Sequence, residues 1–171
     1  KLNGMFAFAI YDILNQKVFC ARDRLGQKPF YYYWDNDKVE ICSSPKSMLK
    51  AFKISQQGIN IYLSAGYIPS PFTIFENIKK LEAGKYLIFD LKKHTLKEQT
   101  YWDLKSLKRK SKFTYESAKE KLNDLLEDAV KIRMVADVPL GSFLSGGVDS
   151  SLVSLIANNH AKNKLKTFTV K

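Results

Sequence analysis

Residues 145–151 read Ser-Gly-Gly-Val-Asp-Ser-Ser, and these residue types are suited to binding phosphate groups. Gly146 and Gly147 allow a sharp turn and a close approach to a ligand, because neither residue has a Cβ. Hydroxyl donors are available from Ser145, Ser150 and Ser151. An apolar stretch precedes this run and a helical pattern follows it, so the free amides of a helix N-terminus would add positive potential. The run therefore predicts a phosphate-binding loop between a strand and a helix.

Asp149 is the acidic residue of this run, and a carboxylate beside a phosphate repels it unless a cation lies between them. Mg²⁺ binds carboxylate and phosphate oxygens together, so the sequence predicts a Mg²⁺ ion at Asp149. The same carboxylate is also expected to cap the following helix. Glycines and serines are common in loops, and this composition alone is weak evidence. The run contains neither the Gly-Lys-Ser/Thr end of a Walker loop nor the Gly-x-Gly-x-x-Gly pattern, which excludes those two phosphate loops.

The elements around this run are predicted in the order helix, strand, loop, helix, strand, which is typical of the opening of a parallel α/β sheet. The first helix begins with Thr114 as its N-cap and ends before Pro139. Apolar residues at helical spacing predict that one face of it is buried: Tyr115, Ala118, Leu122, Leu125, Leu126, Ala129 and Ile132. The two strands are predicted at 140–144 and 165–170.

The first hundred residues are predicted to be mostly strands. We expect strands at 5–13, 17–21, 30–34, 39–43, 85–91 and 95–102, and short helices at 45–52 and 58–65. A turn is expected at 35–37, and two prolines predict a loop at 67–72. Arg22 and Asp23 open a tight connection, and we interpret them as a structural pair that orients the turn. The polar and basic residues 106–112 are interpreted as a linker between domains.

The formal net charge of +11 comes mainly from lysine, since all but four of the 28 basic residues are lysines. Sequence-specific nucleic-acid readers favour the fixed fork of arginine, so we interpret the charge as a solvated surface and expect no nucleic-acid partner. A basic excess at 79–112 leaves an RNA-binding module open as an alternative. Apolar residues make up 45% of the chain, which supports a packed core and excludes a disordered tail.

Cys20 and Cys42 have neither a metal-ligand spacing nor a disulfide framework around them. We interpret both as reduced core thiols, which are typical of the cytoplasm. The apolar stretch near the start of the sequence is too short to span a bilayer, and we expect no membrane partner. The sequence leaves the oligomeric state open, a homodimer included.

The loop sequence resembles the signature of PP-loop ATP pyrophosphatases, which cleave ATP between the α- and β-phosphates. The longer stretch 133–151 and the later Lys-Thr-Phe-Thr-Val at 166–170 are similar to glutamine-hydrolysing asparagine synthetases. Four upstream segments resemble the later strands of class II glutamine amidotransferase domains. These segments are residues 4–12, 22–32, 67–81 and 84–86. One departure is Ser-Pro-Lys at 44–46, where the family has Ser-Glu-x-Lys.

This resemblance implies an α+β fold, the C-terminal part of an N-terminal-nucleophile amidotransferase sandwich, followed by the start of an α/β PP-loop parallel sheet. The implied domains are 1–105 for the amidotransferase part, 106–112 for the linker and 113–171 for the N-terminal part of the ATP-binding synthetase domain. The family's N-terminal cysteine and glutamine-binding residues have no counterpart in the sequence, so no catalytic residue is predicted. We therefore expect an internal fragment that is inactive alone.

The resemblance also implies ATP and Mg²⁺ as cofactors. The predicted cofactor-binding residues are Leu144, Ser145, Gly146, Gly147, Asp149, Ser150, Ser151 and Val170, with Asp149 as the metal ligand. Leu144 and Val170 are included because they end the two strands that flank the nucleotide. The implied reaction of the parent protein is a carbon–nitrogen ligation that converts ATP, aspartate and glutamine to asparagine, glutamate, AMP and pyrophosphate. Two alternatives stay open. One is another PP-loop amide-forming ligase with a different carboxylate acceptor, and the other is a non-catalytic remnant.

Overall fold

The structure, a computed structural model, describes residues 2–35, 38–48, 53–107 and 112–170. The chain divides into two compact units, Lys1–Lys108 and Arg109–Lys171. Within the described ranges, no helix is both long enough and apolar enough to cross a membrane.

The first unit consists mainly of antiparallel strands. Its main elements are β1 (Ala7–Asp12), β2 (Lys17–Arg22), β3 (Tyr31–Trp34), β4 (Val39–Cys42), α1 (Gln56–Ala65), β5 (Ile78–Lys80), β6 (Lys85–Asp90) and β7 (Thr95–Thr100). Short 3-10 helices lie at Pro45–Met48 and Leu104–Ser106. One sheet has the strand order β1-β2-β6-β7 and the other has the order β4-β3-β5. All of these pairings are antiparallel, so the described part of this unit is a mixture of antiparallel sheet and helix.

The core of the first unit contains side chains from both sheets. Side chains alternate along a strand, so Val18 and Cys20 of β2 lie on the same face as their cross-strand partners Phe89 and Leu87 of β6. The Phe89 ring meets the ring of Tyr32 in β3 edge-on, at a centroid distance of 6.0 Å. The buried cluster consists of Val18, Cys20, Phe30, Tyr32, Leu81, Leu87 and Phe89. This shared cluster holds the two sheets together.

The strands predicted for the first unit agree with the structure, with ends that differ by one or two residues. The predicted hairpin of 85–91 with 95–102 is the β6–β7 pair. β5 is a strand that the sequence pattern did not indicate, because Ile-Lys-Lys is too short to show an alternation. It is held by pairing with β3, in which Tyr33 lies opposite Ile78.

The helices predicted for the first unit differ more from the structure. α1 begins two residues before the predicted start, because Ser55 is its N-cap and accepts a hydrogen bond from the Gly58 amide at 3.1 Å. The helix predicted at 45–52 is a 3-10 helix over Pro45–Met48, and residues 49–52 lie outside the described residues. The turn predicted at 35–37 and the linker predicted at 106–112 also fall partly outside the described residues.

Both cysteines are free thiols. The core position predicted for Cys20 is confirmed, and burial raises the pKa of its thiol to about 12. The core position predicted for Cys42 is wrong, because β4 lies at the edge of its sheet and leaves this side chain partly exposed.

The described part of the second unit contains α2 (Tyr115–Lys131), β8 (Gly141–Phe143), α3 (Val148–His160) and β9 (Lys166–Phe168). β8 and β9 pair in parallel, with Phe143 opposite Phe168. Thr114 is the N-cap of α2, as predicted, and its hydroxyl accepts from the Ser117 amide at 3.3 Å. The small core of this unit consists of Val130, Ile156 and Ala157, with Leu126, Met134 and Leu165 packed against it.

The prediction that one face of α2 is buried is largely wrong. Leu122 and Leu125 are 57% and 55% exposed. The helix packs on α3 at its C-terminal end, where Leu126 and Val130 contribute to the small core. Two three-residue strands and one neighbouring helix offer too little apolar surface to cover the rest of this face.

Candidate phosphate-binding loop

The Ser-Gly-Gly-Val-Asp-Ser-Ser loop lies between β8 and α3, with the parallel strand β9 beside β8. The N-cap of α3 is Gly147, and no side chain caps this helix among the described residues. The expectation that Asp149 caps α3 is therefore wrong, because the helix begins two residues earlier. Asp149 lies in the first turn instead, where its charge is favourable toward the helix dipole. Among the described residues, no side chain accepts from the first amides of α3, which is the arrangement that favours anions.

Ser150 organises the loop through its hydroxyl group. Its Oγ donates to the carbonyl of Gly147 at 3.0 Å and accepts from the amide of Ser145 at 3.3 Å. The Oγ atoms of Ser145 and Ser150 are 3.0 Å apart, at hydrogen-bond distance. Two of the three predicted serine donors are thus brought together at the N-terminus of α3, whereas Ser151 lies one residue further along the helix.

The two glycines of the loop are explained by different causes. Gly146 has a φ of +83°, a conformation that L side chains rarely adopt, so the backbone itself favours glycine there. Gly147 has an ordinary φ of −79°. A Cβ at Gly147 would lie 3.6 Å from Ser145 Oγ and 4.0 Å from Ser150 Oγ, which are normal contact distances. Packing therefore permits alanine at this position, and glycine keeps the space in front of two hydroxyls open.

The ends of β8 and β9 meet next to the loop. The amide of Leu144 donates to the carbonyl of Phe168 at 2.8 Å, and the carbonyl of Leu144 accepts from Thr169 Oγ1 at 2.7 Å. Leu144 is half-buried, whereas Val170 is 89% exposed. Thr169 was missed by sequence reasoning, because the alternation at 165–170 marks a polar face but does not show which hydroxyl reaches the neighbouring strand.

A hydroxyl pair that the sequence did not indicate joins β8 to α3. The Oγ atoms of Ser142 and Ser154 are 2.9 Å apart, and Ser154 is buried. Because β8 precedes the loop and α3 follows it, this hydrogen bond fixes the distance that the loop must span.

Asp149 is exposed, and the described residues contain no cluster of three or more His, Cys, Asp or Glu side chains arranged for a metal ion. A closed metal site made of protein ligands is therefore not found in the described part of the chain. Mg²⁺ commonly binds through one or two carboxylates together with substrate phosphates and water. Asp149 can supply one such carboxylate, so the residues of this loop fit Mg²⁺ in that way.

The second unit also contains a cavity of about 630 Å³ at the opposite, amino ends of β8 and β9. Its lining includes Met134, Pro139, His160, Lys162 and Lys166. Ligands of parallel α/β sheets bind at the carboxyl ends of the strands, so this cavity is not the site that the loop predicts.

Arg22 and Asp23 both bond to backbone groups of their own turn, in agreement with the structural interpretation. The buried carboxylate of Asp23 accepts from the amides of Leu25, Gln27 and Lys28 at 3.1, 2.9 and 3.0 Å. Burial alone would raise the pKa of Asp23, but hydrogen bonds from the Lys28, Gln27 and Leu25 amides outweigh it and lower the pKa.

The guanidinium of Arg22 binds three backbone carbonyls. Nε donates to Lys28 at 2.7 Å, Nη2 donates to Gly26 at 2.7 Å and Nη1 donates to Leu81. With its donors directed at the backbone, Arg22 is a structural residue of the turn.

Residues 1–102 of the sequence match the family model of the glutamine amidotransferase domain. The chain belongs to the glutamine amidotransferase domain family. Residues 121–171 match the asparagine synthase model, and this match includes residues 145–151.

The curated relatives of this amidotransferase-family chain cover nearly all of it. A Methanocaldococcus jannaschii protein provisionally named glutamine-hydrolysing asparagine synthetase 2 is 44% identical over 99% of the chain. Glutamine-hydrolysing asparagine synthetase 1 of Bacillus subtilis is 34% identical over 99% of the chain, and amidase chry2 of Gibberella zeae is 33% identical over 96%. The chain spans 34%, 27% and 25% of the lengths of these three relatives. The resemblance seen in the sequence is confirmed.

Proposed function

We propose that residues 145–151 form a PP-loop that binds the pyrophosphate end of ATP, in a natural gene product that is a glutamine-hydrolysing asparagine synthetase. This enzyme would convert ATP, aspartate and glutamine to asparagine, glutamate, AMP and pyrophosphate. The observation that carries the proposal is the space that glycine leaves free of a side chain at position 147. A Cβ there would contact the hydroxyls of Ser145 and Ser150, which lie 3.0 Å apart at the N-terminus of α3.

The chemistry of this space favours a polyanion. The first amides of α3 carry partial positive charge, and the two serine hydroxyls can turn from each other toward phosphate oxygens. Gly147 would let phosphate oxygens approach the backbone amides without a Cβ in the way. Leu144 and Val170 are proposed to contact the nucleoside, since they follow the carboxyl ends of β8 and β9.

Asp149 is proposed as a ligand of Mg²⁺. When bound, Mg²⁺ would offset the repulsion between this carboxylate and the phosphates and neutralise charge on the leaving pyrophosphate. Asp149 would hold the ion, and the first amides of α3 would bind phosphate oxygens directly.

We propose the domain boundaries 1–105 for the amidotransferase part, 106–112 for the linker and 113–171 for the start of a PP-loop parallel sheet. Three observations support them: the family match over 1–102, the asparagine synthase match over 121–171, and the division into compact units between Lys108 and Arg109. The parallel pairing of β8 with β9 supports the sheet assignment. The free thiols fit a reducing compartment, and we propose the cytoplasm.

The proposal is tested with the natural gene product, given aspartate, glutamine, ATP and Mg²⁺. Asp149→Asn is expected to lower pyrophosphate formation by at least about tenfold, ~1.4 kcal/mol of transition-state stabilisation. Asp124→Asn makes the same change on the exposed side of α2 and should leave the rate unchanged. Normal activity of Asp149→Asn would remove its metal role, and a wild-type protein that forms no pyrophosphate would reject the proposed function.

A second candidate is an amide-forming ligase of the same class with a carboxylate acceptor other than aspartate. It is favoured by the match to amidase chry2, a relative with a different name that also covers nearly the whole chain. Product analysis with aspartate as the sole acceptor separates the two candidates. Asparagine formed in equal amount with AMP supports the first, and ATP binding without asparagine formation supports the second.

A further inference from the structure

Thr169 lies directly after β9, and its side chain bonds to the end of β8. Its Oγ1 donates to the carbonyl of Leu144 at 2.7 Å. In a parallel ladder that continued past Phe168, this carbonyl would accept from the amide of Val170. The hydroxyl therefore supplies a bond to β8 at the point where β9 ends.

The same peptide group is held from its other end. The amide of Ser145 donates to Ser150 Oγ at 3.3 Å, and Ser150 Oγ donates to the carbonyl of Gly147. The carbonyl of Leu144 and the amide of Ser145 belong to one planar peptide unit. Two hydroxyls, one from the residue after β9 and one from α3, thus fix the rotation of the peptide through which β8 enters the loop.

We propose that Thr169 is a positioning residue for the nucleotide, acting through the peptide between Leu144 and Ser145. This inference rests on the proposed function, because it requires ATP to bind at the carboxyl ends of β8 and β9. The hydroxyl orients this peptide, and the peptide sets the direction in which Ser145 Oγ and the two glycines face the phosphates. Thr169 is exposed, so its hydrogen bond contributes little to folding and its effect falls on binding.

The test is equilibrium dialysis of the natural gene product against labelled ATP with Mg²⁺. Thr169→Val keeps the β-branched shape and removes the hydroxyl, and we expect the Kd for Mg·ATP to rise about fivefold. Thr169→Ser keeps the hydroxyl and should bind within about twofold of wild type. Thr167→Val is the matched control, since Thr167 lies two residues earlier on the same face of β9, opposite Ser142, and should not alter the Kd.

Thermal unfolding of each variant, followed by far-ultraviolet circular dichroism, separates positioning from a general structural role. An unchanged unfolding midpoint with weaker ATP binding in Thr169→Val, restored by Thr169→Ser, supports the inference. Wild-type affinity in Thr169→Val overturns it, and so does equal weakening in Thr169→Ser. A wild-type protein that does not bind Mg·ATP rejects the proposed function and this inference together, an outcome distinct from the other two.

Discussion

The two units differ in how far the packing of side chains explains their residue types. In the first unit, two sheets share one buried cluster, and Leu81, Leu87 and Phe89 are completely inaccessible to solvent. In the second unit, the buried cluster has three members, and most of the apolar face of α2 is exposed. Packing explains the sequence of the first unit, whereas the glycine and serine choices at 145–151 have little to pack against. The proposed phosphate binding would account for these choices.

The largest difference in stability is expected when a leucine is replaced by alanine in each unit in turn. Leu87→Ala removes a fully buried side chain, and we expect it to lower the free energy of unfolding of the first unit by about 2–5 kcal/mol. Leu122→Ala makes the same change on the exposed face of α2 and should cost less than about 0.5 kcal/mol. Denaturant unfolding of the 171-residue chain, followed by tryptophan fluorescence, reports on the first unit, since both tryptophans of this chain, Trp34 and Trp102, belong to it.

Hydrogen exchange of the α2 amides reports on the second unit in the same experiment. Equal losses from Leu87→Ala and Leu122→Ala would contradict the difference in packing between the two units.

A smaller effect is expected at Asp23. Its lowered pKa means that its contribution to stability is present above the unfolded pKa of about 3.9 and is lost as the pH falls through the folded pKa. Asp23→Asn should lower the free energy of unfolding of the first unit by about 1–3 kcal/mol at pH 7, because the amide cannot accept from all three backbone amides. The difference from wild type should narrow as the pH falls below about 4. Denaturant unfolding followed by tryptophan fluorescence, at pH 7 and below about pH 4, measures this difference in the free energy of unfolding.

Glu76→Gln is the control for this titration, since Glu76 is an exposed acid of the same unit. A difference between Asp23→Asn and wild type that grows on acidification would show that another group carries the acid sensitivity.

A pair of glycine substitutions is expected to affect stability less than Leu87→Ala or Asp23→Asn does. A Cβ at Gly58 would overlap the carbonyl oxygen of Thr73, so Gly58→Ala should cost about 1–2 kcal/mol although alanine favours a helix. Gly147→Ala meets ordinary contact distances and should change stability by less than about 0.5 kcal/mol, while weakening Mg·ATP binding about tenfold. Unfolding curves and ATP dialysis of both variants measure the two quantities. Unaltered ATP affinity in Gly147→Ala would contradict a role for Gly147 in ATP binding.

Much of the fold could be predicted from the sequence, because strands with alternating or aromatic side chains such as Lys17–Arg22 and Lys85–Asp90 carry their own signal. The N-cap at Thr114 was predictable for a similar reason, since capping is local. β5 could not be predicted, because its three residues become a strand only through pairing with β3. The exposure of Leu122 could not be predicted either, because helical spacing shows which face is apolar and not what covers it.

The candidate site was predictable as a run of residue types and less so as a geometry. The positions of Ser145 and Ser150 follow from the strand–loop–helix order, and their hydroxyls do meet. Asp149 does not cap α3, because the helix begins after Gly147. The sequence could not show this, since the start of a helix can be predicted only to within one or two residues. Thr169 and the Ser142–Ser154 pair depend on contacts between elements, and no local pattern indicates such contacts.

The order of strands in the first unit has a consequence for how fast it forms. β1 with β2 and β6 with β7 are hairpins that close over a few residues, but β2 must find β6 across β3, β4, α1 and β5. Arg22 likewise reaches the carbonyl of Leu81, which is 59 residues away. Closing a long chain segment costs entropy before the ladder between β2 and β6 repays it. The two hairpins should therefore form early. The slower pairing of β2 with β6 should then be the step that limits the folding rate of the unit.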